Sequence, residues 1–151
     1  MNQVRCMGKQ KGFQLVETMV VLVIVIGLLL AFWPQMQQAF GFGDAAKLRT
    51  QVSEIQQGAN LYKQRNNVYT GVSMAVLEAQ GYVSDRMGTG VGRNPWGGNY
   101  TVAAGANATQ VVITATGITD AQLGAQMAAD YGTSAVAAAF AGTTLTLTFQ
   151  G

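Results

Sequence analysis

From Met19 to Trp33 every residue is apolar or glycine, and the wider segment from Phe13 to Trp33 is interrupted only by Gln14, Glu17 and Thr18. As a helix this segment is about 31 Å long, the hydrocarbon thickness of a bilayer. A helix apolar on every side has to be buried in something other than water. Only 11% of the residues are charged, against about 25% in an ordinary soluble domain. Both observations point to a membrane or to a large packed assembly.

The net charge of +2 is smaller than the contribution of Arg5, Lys9 and Lys11, which lie in a leader without a single acid. The rest of the chain is slightly acidic and offers no basic surface for nucleic acid. A basic flank before an apolar helix is retained on the cytoplasmic side, so the sequence predicts that everything after Trp33 lies across the membrane. The chain contains no histidine and one cysteine. That composition excludes a Ser-His-Asp triad and zinc sites built from several Cys or His ligands. No catalytic residue, metal ligand or cofactor is expected.

A secretory signal peptide also begins with basic residues and an apolar run. Here the run is long for that role, and Pro34-Gln35-Met36-Gln37-Gln38 follows it without a small-x-small cleavage site. Glu17 is placed within the apolar segment, where a carboxylate costs about 2.5 to 3.5 kcal/mol on insertion scales. A signal peptide has no use for it.

Gly12-Phe13-Gln14-Leu15-Val16-Glu17, after a basic leader and before the apolar run, resembles the class III signal of type IV prepilins. The resemblance implies cleavage between Gly12 and Phe13 by a membrane-embedded aspartyl peptidase, N-methylation of Phe13, and retention of the apolar helix. It further implies that the Glu17 carboxylate pairs with the Phe13 amino group of a neighbouring subunit, making Glu17 an assembly residue. A buried charge is tolerated when paired and costly alone. In related pili the stretch between a glycine like Gly27 and a proline like Pro34 unwinds in the filament, so these two are expected to give the helix its flexibility. Pro34 removes a backbone donor, and Gly41 and Gly43 each cost about 1 kcal/mol relative to alanine, so local melting is expected here.

Leu48, Val52, Ile55, Ala59 and Tyr62 recur at alternating spacings of four and three, an amphipathic stripe running to Asn66. One helix over 13–66 would be about 80 Å long, more than a small head needs. The expected organisation is a cleaved leader 1–12, a transmembrane or filament-core helix 13–34, an amphipathic continuation 35–66 and a globular head 67–151.

In the head, 73–80 reads as a short helix ended by Gly81, and 87–98, with its glycines and Asn94-Pro95, reads as loop. Strands are predicted at 99–103 and 109–116. Thr119 and Gln122 suggest a capping box, with Ile118 stapled against Leu123 and a helix to about Tyr131. Alternation of Leu145, Leu147 and Phe149 with threonines marks a final strand. The order is helix, helix, strand, strand, helix, strand, with an antiparallel sheet: an α+β class in which a long helical spine packs on a small head.

The Asn94-Pro95-Trp96-Gly97-Gly98 turn, the Ile118-Thr119-Asp120-Ala121 helix start and the threonine-rich last strand resemble the type IVb-like major pilins of conjugative plasmids and genomic islands. The short leader and Phe13 are more usual in type IVa pilins. Leu123 stands where such heads carry a cysteine, and Cys6 leaves with the leader, so packing alone has to hold the C-terminal region.

Other residues have plainer explanations. Gly88, Gly90 and Gly92 lack the Lys-Ser/Thr pair of a phosphate loop and read as a flexible loop. Trp96 is either a packed anchor or a surface for stacking on sugar. Asn107-Ala108-Thr109 is a sequon by pattern, taken as chance, and Cys6 sits in no lipobox. Asp85 and Arg86 are either a solvated pair or a contact between subunits.

The family resemblance thus implies a major pilin, homopolymerised into a helical filament for adhesion, aggregation or mating contact. Its partners would be the prepilin peptidase, the assembly platform and its ATPase. It would reside in the inner membrane with its head periplasmic before assembly and outside the cell afterwards. A type II secretion pseudopilin or minor pilin would share the signal and Glu17. A bitopic membrane protein with a binding head would keep its leader.

Overall fold

The computed structural model describes the backbone of residues 11–151 and the side chains of 16–32 and 43–151. The leader residues Arg5, Cys6 and Lys9 lie outside the described residues, as do the side chains of Gly12, Phe13 and Pro34. The chain divides between Phe40 and Gly41 into two units.

Helix α1 is assigned to Lys11–Asn66. It passes through Pro34, Gly41 and Gly43, where the sequence predicts weak points; one missing donor costs a single rung of a long hydrogen-bond ladder. Its end is built locally. Asn67 takes a left-handed φ of 63° and donates its backbone N–H to the Lys63 carbonyl, 2.6 Å away. Asparagine tolerates that conformation just past a helix. Lys63 and Arg65 occupy the last turn, where cations meet the negative end of the helix dipole.

The second unit is α+β. Helix α2 (Met74–Ala79) is followed by strands β1 (Tyr100–Ala104) and β2 (Gln110–Ala115), helix α3 (Ala121–Tyr131), and strands β3 (Ala137–Ala141) and β4 (Thr144–Gln150). The four strands form one antiparallel sheet in the order β1-β2-β4-β3. Ser73 caps α2, its hydroxyl accepting from the Val76 N–H, and Gly81 follows with a φ of 68°.

One face of the sheet carries Tyr100, Val102, Val111, Ile113, Leu145, Leu147 and Phe149, all buried. These join the α1 stripe Leu48, Val52, Ile55, Ala59 and Tyr62 in a single hydrophobic cluster. Leu48, Ile55 and Ala59 have no exposed surface. The stripe exists because 3.6-residue periodicity places those positions on one side of the helix. Gly58 lets the 81–83 segment lie against α1, since a β-carbon there would approach the Tyr82 carbonyl oxygen to 2.7 Å.

The other face has a different chemistry. The strand register aligns Thr101, Thr114, Thr146 and Ala139 in one row and Ala103, Val112, Thr148 and Ala137 in the next. Every one of these side chains is half-buried or exposed, and no strand contributes a charged residue.

Two sequence expectations need correction. The N-cap of α3 is Asp120, not Thr119: the Asp120 carboxylate accepts from the Leu123 N–H at 3.0 Å. Both residue types cap well, but only the carboxylate adds attraction to the positive helix end. The Ile118 staple therefore falls one residue out of position, although Ile118 itself is fully buried. Strand β3 is the second correction. Its Ala-Ala-Ala-Phe-Ala sequence lacks the β-branched residues that mark strands, and it is held in place by pairing with β4.

No disulfide ties the C-terminal region, and packing does that work. Met127 is fully buried, and Gly124 lies against the Phe140 ring. Tyr131 meets Phe149 edge to face at 6.1 Å between centroids. Arg49 on α1 is ion-paired with Asp130 at the end of α3.

Candidate functional site

The most unusual surface is the first half of α1. Its aliphatic and aromatic side chains from Val16 to Phe32 are exposed on every side of the helix, from 46% at Ile26 to 71% at Leu30. Dispersed single apolar residues on a surface are ordinary; a contiguous set of this extent marks an interaction site. Among the described residues, no helix is long and apolar enough to cross a membrane. The described side chains stop at Val16 and Phe32, inside the Phe13–Trp33 segment that the sequence singles out.

Glu17 lies on this surface and is exposed. Helical spacing places it beside Thr18, Val21, Leu22 and Val25, which together border a shallow depression. The nearest turns thus surround the carboxylate with aliphatic groups. Gly27 has open space around it, a β-carbon there meeting nothing within 4 Å. Among the described residues, no packing requires glycine at that position. The peptide bond between Gly12 and Phe13 lies within the helical backbone described from Lys11 onward.

The head offers a wide groove of about 630 Å³ lined in part by Lys47, Gln51, Glu54, Arg86 and Arg93. Several of its polar groups are engaged in holding the fold. Glu54 accepts from the Ser84 N–H at 2.8 Å. Gln51 donates to the Arg93 carbonyl and accepts from the Tyr100 hydroxyl. Burial, reinforced by Tyr131, pushes the Tyr100 phenol well above its ordinary range. A phenol kept neutral and hydrogen-bonded to an amide is not a base. Among the described residues, no group of three His, Cys, Asp or Glu side chains is placed to hold a metal ion.

The Asn94–Gly98 turn is an anchor built around a buried amide. Asn94 accepts from the backbone N–H groups of Trp96 and Gly98 at 3.0 and 2.7 Å, and its amide nitrogen donates to the Thr116 carbonyl. Gly98 passes so close to Thr116 that any β-carbon would overlap the carbonyl oxygen. Trp96 packs half-buried against the hydrophobic cluster, in keeping with the anchor alternative. The turn motif was visible in the sequence; the organising role of Asn94 was not. Asp85 and Arg86 are exposed, and the ion pairs found among the described residues are Asp44–Lys47 and Arg49–Asp130.

No protein-family model matches the chain, and neither does any curated protein or solved structure among those searched.

Proposed function

We propose that the chain is a structural protein, the major pilin of a type IV pilus, cleaved after Gly12 and N-methylated at Phe13. It polymerises through its apolar helix and is displayed outside the cell for adhesion, aggregation or mating contact. One observation carries this reading: the exposed apolar surface from Val16 to Phe32. The sequence signal around Gly12, Phe13 and Glu17 supports it independently.

In this reading the helix waits in the inner membrane, where lipid solvates the side chains, and then exchanges lipid for neighbouring copies. Glu17 pairs with the Phe13 amine of the next subunit and favours the correct stagger. Gly27 and Pro34 give the segment between them its freedom to unwind in the polymer. The prepilin peptidase, the assembly platform and its ATPase are the partners this requires.

The test is to shear the surface of expressing cells and determine the intact mass and N-terminal residue of the released subunit. The expected chain begins at N-methyl-Phe13 and is abundant in the sheared fraction. A low-abundance cleaved chain would mean a minor pilin or secretion pseudopilin. A full-length chain confined to the inner membrane would mean a bitopic anchored protein.

A further inference from the structure

The groove of the head carries hydrogen-bond donors that the fold does not use. Its acceptors are largely engaged. The Gln51 side-chain oxygen takes the Tyr100 hydroxyl, the Arg93 carbonyl takes the Gln51 amide, and one Glu54 oxygen takes the Ser84 N–H. Its cations are not engaged in the same way. Arg86 and Arg93 are exposed, and among the described residues neither is in an ion pair. Glu78 and Arg93 both face the Gly88 position, yet no ion pair joins them. Lys47, on the α1 wall, lies 3.7 Å from Asp44, too far for a hydrogen bond.

That surplus selects the chemistry of a ligand. Guanidinium and ammonium groups donate and never accept, so what satisfies them is an oxyanion. The planar fork of arginine matches the two oxygens of a carboxylate. Three cations line the groove against the single carboxylate of Glu54, so an anion is attracted there despite that acid. The groove is also far larger than one carboxylate: about 630 Å³, within the size range of small-molecule sites. Its remaining lining suits a polyhydroxylated body. The second Glu54 oxygen is free to accept from a hydroxyl, the Ser84 hydroxyl can donate or accept, and Ala46 and Pro95 offer apolar contact to C–H groups.

We propose that this groove binds an acidic saccharide, a short run of sugars bearing carboxylates. Arg86, Arg93 and Lys47 take the carboxylates, and Glu54 and Ser84 take hydroxyls. A nucleic acid fits less well, because no residue lining the groove is aromatic and bases are held by stacking. The groove lies wholly within the second unit. The site therefore stands or falls independently of the apolar helix, and of whether the chain polymerises.

The test titrates the full chain, in detergent at low salt, with trigalacturonate, and in parallel with neutral maltotriose, inorganic phosphate and a short single-stranded oligonucleotide. Calorimetry is expected to show trigalacturonate binding at least about tenfold more tightly than the other three. Arg86→Gln is expected to weaken it about tenfold or more, the loss of a hydrogen-bonded charge pair, and Arg86→Lys to restore only part, since the charge returns without the fork. Lys63→Gln removes one positive charge outside the groove and is expected to leave binding unchanged. An unaltered Tm for Arg86→Gln separates lost affinity from lost fold. Absence of trigalacturonate binding overturns the site, as does an equal loss in Lys63→Gln, which would mean general charge attraction. Equal affinity for phosphate would reduce the site to a bare oxyanion contact, equal affinity for maltotriose would remove the role of the cations, and tighter binding of the oligonucleotide would replace the saccharide with nucleic acid; each overturns the proposal. None of these outcomes touches the sheared-fibre test, so the pilus reading and the groove fail separately.

Discussion

Gly124 of α3 lies directly beneath the ring of Phe140 on β3, so near that a β-carbon at position 124 would overlap the ring atoms. This approach docks α3 onto the edge strand β3, beside the buried Met127 and the Tyr131–Phe149 ring contact. In the described head it also does part of the work that a disulfide would otherwise do.

Gly124→Ala should therefore destabilise the head even though alanine is the better helix former. The helical gain is about 1 kcal/mol and overpacking costs about 1–3 kcal/mol, so a net loss of about 1 kcal/mol is expected. Thermal unfolding in detergent should show Tm lowered by several degrees. Adding Phe140→Leu should recover part of that loss by making room, and a double variant no more stable than Gly124→Ala would refute the steric account.

The cap of α3 gives a prediction in which two neighbouring residues exchange roles. Asp120→Ala removes the acceptor for the Leu123 N–H and should cost about 1 kcal/mol. Thr119→Ala should change stability by no more than a few tenths of that. Equal losses at both positions in denaturant titrations would restore the capping box that the sequence suggests.

Tyr100 sets the alkaline limit. Its phenol is held above the ordinary value of 10.0, first by burial and second by Tyr131, and burial raises Tyr69 and Tyr131 as well. The folded state thus binds these protons more tightly than the unfolded state does. Their contribution is full below pH 10, where unfolded tyrosine is also neutral, and is lost as pH rises through the folded values. Tm should be flat with respect to tyrosine ionisation near pH 8–9 and fall above about pH 10. Tyr100→Phe should flatten that fall while forfeiting the hydrogen bond to Gln51.

Glu17→Val tests the proposed assembly directly. Cleavage after Gly12 should survive, because the helix stays apolar, while the buried amine loses its partner. Leaving one member of a buried pair alone costs about 3–5 kcal/mol, which is at least a hundredfold in the constant for adding a subunit. Sheared fibre yield should fall accordingly, with processed subunit accumulating in the membrane. Wild-type fibre levels would remove the pairing role.

What the sequence revealed and what it hid follow one rule. Leu48 to Tyr62 and Leu145 to Phe149 were legible because a regular period of apolar residues implies a buried side. The stop of α2 at Gly81 was legible because glycine serves the left-handed conformation past a helix end, whereas the Ser73 cap emerged only from the structure. Strand β3 was not, since alanine has no strand preference of its own and only the neighbouring β4 fixes its conformation. The choice of Asp120 over Thr119 depended on where α3 begins, which local sequence defines only to within a residue or two. Glu17 stood out for the opposite reason: it breaks the pattern around it.

The sheet order β1-β2-β4-β3 also governs when the head can exist. The fourth strand to be synthesised lies between two that come before it, so β2 and β3 have no common partner until the ribosome has passed Gln150. The head consequently folds late, through contacts distant in sequence, which is intrinsically slow. Throughout that interval the apolar helix has already left the ribosome. In the proposed reading, its entry into the membrane therefore precedes the completion of the domain it carries.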